Sequence, residues 1–157
     1  MQQVAALPFV PTGNAIDVLL ITSRRRKRWI LPKGWPAKNL SLPDSAAKEA
    51  SEEAGVLGPI QTDAVGSYSY SKKTKPGYPV PCQVFIYPLL VMQHTLAWRE
   101  QSQRSLKWFS LSDAASRVDD DGVSEVLGEL AATDGACLHA FVTQAMTGST
   151  PSNPTPA

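Results

Sequence analysis

An α/β fold, with a mixed sheet between helices, is what this sequence predicts. Three observations point there. Apolar runs with strand character lie before and after a single helical segment, and helical segments close the chain. The run "AIDVLLIT" is continuously apolar apart from one Asp and a final Thr, as in a strand buried on both faces. The stretch beginning at Asp121 repeats with helical period and puts Val123, Val126, Leu127 and Leu130 on one face. Strands, one helix, more strands and terminal helices make a mixed sheet covered on both sides.

Taken in order, "QVAALPFV" alternates weakly and ends in a Pro-Thr-Gly-Asn turn signal, so a strand and a loop are expected. "AIDVLLIT" follows as the doubly buried strand, and "RWILP" as a short one closed by Pro32. The loop "KGWPAKNL" leads to Ser41 and Asp44, a capping box, with Pro43 in the first turn where its missing N–H costs little. A helix is expected from about Pro43 to Ala54, stopped by Gly55 as a left-handed C-cap. "AVGSYSYSKK" and "PVPCQVFIYPLLVM" read as two strands around a turn at "KTKPGYP", and "LKWFSL" as a further short strand. Ser110 or Ser112 caps a short helix in "SLSDAASRV". Gly135 is positioned to break the last helical stretch in two.

The totals narrow the class of protein. A chain of 157 residues with 43% apolar content suits one globular domain, here expected over 1–147, with a disordered Pro/Ser/Thr tail over 148–157. A net charge of +1 exerts no general pull on nucleic acid or anionic lipid, so neither a stable nucleic-acid partner nor a membrane is expected. The apolar run around Val84–Met92 is too short to span a bilayer. The N-terminal "MQQVAALPFV" lacks the pattern of a secretory signal, which makes the cytoplasm the expected compartment. Cys82 and Cys137 have no metal-ligand spacing and are expected to be buried free thiols.

The predicted helix carries an unusual concentration of charge. A helix turns about 100° per residue, so Glu49, Glu52 and Glu53 fall within roughly 100° of arc. Ala46, Ala47, Ala50 and Ala54 occupy the adjoining arc, a thin stripe that lets the helix lie close to the sheet. Like charges three and four residues apart destabilise a helix by a few tenths of a kcal/mol each. Only Lys48 is near enough in sequence to soften this. A solvated acidic face is the ordinary reading. A divalent cation would instead turn the repulsion into ligation, and ligands made only of carboxylate oxygen favour Mg²⁺ or Mn²⁺ over zinc.

The stretch from Gly34 to Val56 resembles the Nudix box. That pattern runs glycine, five residues, glutamate, seven residues, then arginine, glutamate, aliphatic, any, glutamate, glutamate, any, glycine, aliphatic. Here Gly34 is followed, at the same spacing, by Lys48-Glu49-Ala50-Ser51-Glu52-Glu53-Ala54-Gly55-Val56. The flanks "WILPKGWP" and "RSLKWFSLSDA" resemble the branch acting on diphosphoinositol polyphosphates and dinucleoside polyphosphates. The likeness covers nearly all of the chain to about residue 146. It implies a Nudix-type α/β/α sandwich and a Mg²⁺-dependent hydrolase, with Mn²⁺ as a substitute, that cleaves a phosphoanhydride in a small polyphosphate. Two positions depart from the pattern: Leu40 stands where the first glutamate is expected and Lys48 where the arginine is. In the family these support the loop and helix geometry, and the arginine helps to orient a glutamate. Lysine keeps the charge but loses the planar fork.

The resemblance implies that Glu49, Glu52 and Glu53 hold the metal, with the backbone carbonyl of Gly34 completing the shell. Pyrophosphate resists water because its anionic oxygens repel attack, and a divalent cation offsets that charge. The general base is a box glutamate or a carboxylate from a distant loop, for which Glu100 in "LAWREQSQR" is the candidate. Ahead of the box, "SRRRKRW" holds five consecutive cations. Strand alternation would send Arg24, Arg26 and Arg28 toward substrate phosphates, where guanidinium forks fit well. Lys33, next to Gly34, is better placed, and Lys72, Lys73 and Lys75 on the hairpin turn could reach a long polyphosphate. Trp35, Tyr68, Tyr70 and Trp98 could stack on a base or simply pack. His94 and His139 stand apart from other ligating residues. Two other readings stand beside the leading one: removal of pyrophosphate from RNA 5′ ends, and a Nudix-fold module that binds a nucleotide without cleaving it.

Overall fold

The computed structural model describes residues 1–73 and 77–148. Lys75 and the expected tail from residue 149 onward lie outside the described residues. Among the described residues, nine strands and four α-helices follow in order: β1 (Gln2–Thr12), β2 (Ala15–Thr22), β3 (Trp29–Ile30), β4 (Lys33–Gly34), α1 (Leu42–Ala54), β5 (Val56–Leu57), β6 (Gly66–Lys73), β7 (Pro79–Leu90), β8 (Gln93–His94), β9 (Leu106–Ser110), α2 (Leu111–Arg117), α3 (Asp121–Ala132) and α4 (Ala136–Thr147).

The main sheet runs β3-β2-β1-β7-β6, with β4 added to β1 and β9 added to β2. β1 and β7 are parallel, Gln2 opposite Gln83 through Phe9 opposite Leu90, and the other pairs are antiparallel. The sheet is therefore mixed, as expected. Alternation along β1 and β2 divides the core in two. Ala5, Leu7, Phe9, Ile16, Val18 and Leu20 face one side, under α2, α3 and α4. Val4, Ala6, Leu19 and Ile21 face the other, under α1. A strand that feeds two cores must be apolar at consecutive positions, which explains the unbroken run in β2.

α1 is specified locally. The Ser41 hydroxyl accepts from the Asp44 N–H at 3.1 Å, and Gly55, at φ 71°, ends the helix by donating its N–H to the Ser51 carbonyl. Ala46, Ala50 and Ala54 are fully buried and Ala47 partly so. This small-residue stripe brings the acidic face of α1 close to the sheet edge made by β4. Ser110 is the cap of α2, resolving the alternative with Ser112, and Gly135 separates α3 from α4. Cys82 is buried, but Cys137 is exposed, against expectation: α4 turns Leu138 and Phe141 inward and leaves position 137 on its outer face.

Candidate active site

The acid cluster is built where α1, β4 and the loop leading into β9 meet. β4 pairs with β1, Val4 opposite Gly34, which seats Gly34 against α1. The carboxyl of Glu49 lies so close to Gly34 that a Cβ there would stand 2.5 Å from it. Glu53 is buried, and its Oε1 accepts from the Lys33 backbone N–H at 3.3 Å. Glu49 and Glu53 therefore sit beside β4, with Glu52 close to Glu49 on the same face of α1.

Glu100 joins them from far along the chain. β8 pairs with β5 just beyond α1, and the Glu100 N–H donates to the Glu52 carbonyl at 3.1 Å. Trp98 packs its ring against Gly55, and the His94 ring lies 5.1 Å from it. Trp98 is thus committed to holding this loop on the end of α1.

The repulsion among the glutamates is relieved by more cations than sequence proximity suggests. Lys48 Nζ is 3.6 Å from Glu52 Oε2, and Arg99 Nη1 is 3.5 Å from Glu52 Oε1. Arg104 Nη2 lies 3.8 Å from Glu53 Oε1, and its Nε donates to Glu100 Oε1 at 3.0 Å. The expectation that Lys48 alone softens the cluster is corrected: Arg99 and Arg104 reach it through the fold. Among the described residues, no three carboxylate, histidine or cysteine groups are gathered closely enough to hold a metal ion by themselves. The carboxylates are held by cations instead.

Burial nevertheless sets the tone of the site. Desolvation raises the Glu53 pKa to about 8, against the pull of Arg104, with Glu49 and Glu100 adding to the rise. Glu49 is also raised, first by burial and then by Glu52. The residues fit a hard divalent cation on two counts. Hydrogen alone at position 34 keeps the Gly34 backbone open to the Glu49 carboxyl. The partners of Glu52 are at least half-exposed side chains that a cation can displace. Carboxylate and carbonyl oxygens are the donor set Mg²⁺ and Mn²⁺ prefer.

A cavity of about 220 Å³ adjoins the cluster through Lys33. Trp29, Tyr68, Tyr70, Val123, Asp119 and Asp120 line it along with Lys33. Lys33 Nζ sits 4.0 Å from the centre of the Tyr70 ring, and burial lowers its pKa despite the pull of Asp120. The Tyr70 hydroxyl donates to Gln3 Oε1. Lys72 Nζ lies over the half-exposed Trp35 ring at 4.9 Å. Asp120 caps α3, its Oδ1 accepting from the N–H groups of Gly122 and Val123.

The basic run departs from expectation. Residues 23–28 form a turn, closed by hydrogen bonds between Ser23 and Arg28 and by Lys27 at φ 56°, so strand alternation does not sort their side chains. Arg24 and Arg26 are exposed. Arg28 Nη1 pairs with Asp119 Oδ1 at 2.8 Å, at the edge of the cavity. His139 hydrogen-bonds the Asn14 carbonyl on the far side of the molecule.

A family model described as the NUDIX domain matches residues 1–127. This chain belongs to the Nudix family. Nudix hydrolase 21, chloroplastic, of Arabidopsis thaliana is 34% identical over 116 residues, or 73% of this chain and 57% of the plant protein. The chain thus spans under two thirds of that relative's length. Two solved structures share the fold. A C. elegans Ap4A hydrolase binary complex superposes with a TM-score of 0.62 at 20% identity, over 84% of this chain and 96% of that one. The NUDIX domain of Shewanella oneidensis NrtR, complexed with ADP ribose, superposes with a TM-score of 0.59 at 19% identity, over 80% and 83%. Their fold is the α/β/α sandwich described above.

In this Nudix domain the box supplies Gly34 and three glutamates, while Arg99, Arg104, Asp119 and Asp120 come from outside it. Sequence reading passed over all four; the run of three aspartates after Val118 was the one visible signal. Among the described residues, no helix is long and apolar enough to cross a membrane.

Proposed function

We propose that this chain is a divalent-cation-dependent pyrophosphohydrolase acting on nucleoside polyphosphates, dinucleoside polyphosphates foremost. One observation carries the reading: Lys33 belongs at once to the acid cluster and to the aromatic cavity. Its backbone N–H supports Glu53, and its ammonium faces the rings and Asp120. A substrate spanning both regions would lay its phosphates across the cluster and its base in the cavity.

The cavity favours a base over an inositol ring. Its volume suits one heteroaromatic ring system, and Trp29, Tyr68 and Tyr70 offer apolar faces. Asp119 is paired with Arg28 and Asp120 caps α3, and their remaining carboxylate oxygens can accept hydrogen bonds from exocyclic amines. A diphosphoinositol carries phosphate on all sides and would find Lys33 as the one cation among the residues lining the cavity. One fold neighbour is named an Ap4A hydrolase and another was crystallised with ADP ribose, which agrees with a nucleotide here.

Glu49, Glu52, Glu53 and the Gly34 carbonyl would hold a hard divalent cation, which would offset phosphate charge and lower the pKa of a bound water. The remaining work falls to this chain's own groups. Lys33, whose backbone N–H supports Glu53 and whose ammonium lies in the cavity, would meet the phosphate nearest the base. Glu100 has Oε1 engaged by Arg104, which leaves Oε2 to accept the proton from the attacking water. The exposed Arg24 and Arg26 draw in the polyanion by long-range attraction. Cys82 and Cys137 are free thiols, which suits a reducing compartment such as the cytoplasm.

The test is a substrate panel of diadenosine polyphosphates, diphosphoinositols and triphosphate RNA, with Mg²⁺ or Mn²⁺. Nucleotide products should form from the first class and fall by several orders of magnitude in Glu52→Gln and Glu53→Gln. Wild-type turnover in Glu100→Gln would remove that residue from the mechanism. Tight binding without product from any substrate would replace the hydrolase with a nucleotide-binding module.

A further inference from the structure

The two departures from the box leave a gap that the fold fills from elsewhere. Lys48 stands where the pattern has arginine, and its half-exposed side chain turns outward to Glu52. Leu40 is exposed and offers no charge. Among the ion pairs formed by residues of α1, none brings a helix cation to Glu53.

Arg104 comes to Glu53 from the opposite side. Its side chain is 8% exposed, as is that of Glu53. The guanidinium has three partners: Nε donates to Glu100 Oε1 at 3.0 Å, Nη1 to the Thr22 carbonyl at 3.1 Å, and Nη2 faces Glu53 Oε1 at 3.8 Å. The backbone of the next residue is anchored as well. Ser105 donates to Thr22 Oγ1 at 2.8 Å, and Thr22 donates back to the Ser105 carbonyl at 2.9 Å, at the start of the β2–β9 pairing. One edge of the fork is thus tied to the sheet, and the others reach two carboxylates on different elements. A planar fork holds such a three-way arrangement; an ammonium does not.

We propose that Arg104 is a positioning residue that sets Glu53 and Glu100 side by side, taking the place of the arginine that the box lacks at position 48. This rests on the reading of the acid cluster as a hydrolytic site. Arg104 acts through the two carboxylates, so its loss should lower turnover and leave substrate affinity nearly unchanged.

Four variants test this: Arg104→Gln, Arg104→Lys, Glu100→Gln and the double variant Glu100→Gln/Arg104→Gln, each assayed with Mg²⁺ and a diadenosine polyphosphate. Arg104→Gln should lower kcat on the order of 100-fold, the low end for loss of an oriented acid–base group, with KM within about threefold of wild type. Arg104→Lys should recover little, because the fork is lost, and it serves as the test where the glutamine variant does not fold. The double variant should be far less impaired than the product of the single losses. Crystal structures of the wild type and of Arg104→Lys, without substrate, should show Glu53 and Glu100 displaced or in several rotamers in the variant. A large rise in KM with kcat retained would make Arg104 a substrate contact and overturn the proposal. So would full additivity with Glu100→Gln, or unmoved carboxylates in the variant crystal. A wild-type protein that hydrolyses nothing would remove the functional reading, while the crystallographic comparison would still decide the positioning claim.

Discussion

A Cβ built on Gly34 would stand 2.5 Å from both the carboxyl carbon and Oε1 of Glu49, and 2.6 Å from Oε2. The Glu49 carboxyl can lie this close to the β4 backbone only because position 34 has no side chain.

That contact separates stability from function. In Gly34→Ala the methyl group meets the far end of a flexible side chain, so Glu49 can swing aside at small cost. We expect the melting temperature to move by no more than a few degrees, equivalent to about 1 kcal/mol. Hydrolysis should nevertheless fall at least tenfold, since the displaced carboxyl is one of the ligands proposed for the cation. Unchanged kcat at saturating Mg²⁺ would show that Glu49 is not needed where it stands.

Glu53 makes stability depend on pH. Its carboxyl is raised on folding from 4.5 to about 8, so the folded chain holds that proton more tightly than the unfolded one. Stability from this group is therefore fully present below about 4.5 and is lost as pH rises toward about 8. Metal-free wild type should melt at a lower temperature near pH 8 than near pH 5.5. Glu53→Gln should flatten the difference, and a wild-type and variant pair with parallel pH profiles would refute it.

The closeness of α3 to β6 depends on two glycines. A Cβ on Gly122 would overlap Cβ of Tyr68, and one on Gly66 would come within 2.8 Å of Val126 Cγ2. Tyr68 Cβ belongs to a strand and cannot give way as a side-chain tip can. Gly122→Ala should therefore destabilise by about 1–3 kcal/mol, the usual cost of overpacking, read as a lower urea midpoint. A neutral result would mean that the helix can lift off the strand freely.

Lys33 should govern affinity for the phosphate chain. Replacing it by methionine preserves contact with the Tyr70 ring and removes the charge. Losing one charge-assisted hydrogen bond, about 1.5–3 kcal/mol, should raise KM roughly 10- to 100-fold. The salt dependence of kcat/KM should also weaken. A KM within twofold of wild type would place the phosphates elsewhere.

Much of this was legible in the residue order because helix signals are local. Ser41 and Gly55 bound α1 through hydrogen bonds made within a turn of each, and the alanine stripe announces its buried face. The long strands were legible for the same reason, through alternation or unbroken apolar runs. The two-residue strands β4, β5 and β8 were not. Lys33–Gly34 becomes a strand only because Val4 and Ala5 lie opposite it, and Val56–Leu57 only because Gln93 and His94 do. Strand alternation did not apply to the basic run between β2 and β3, because five cations in a row carry no turn signal, whereas the closing bonds join Ser23 to Arg28. Cys137 was misread because composition ranks cysteine as buried, and only the seating of Leu138 and Phe141 shows which side of α4 faces out.

By itself, then, the residue order determined the family, the helix that carries the glutamates, and the place of Gly34 before them. Spacing along one helix is a property of neighbouring residues and needs no partner. Tertiary structure alone decided what surrounds those glutamates: Arg104 between Glu53 and Glu100, and Asp119 and Asp120 beside Lys33. Charge pairing and cavity shape act across space at a few ångströms, whatever the separation along the chain. They come into being only once strand pairing has brought residues 22, 33, 53 and 104 together.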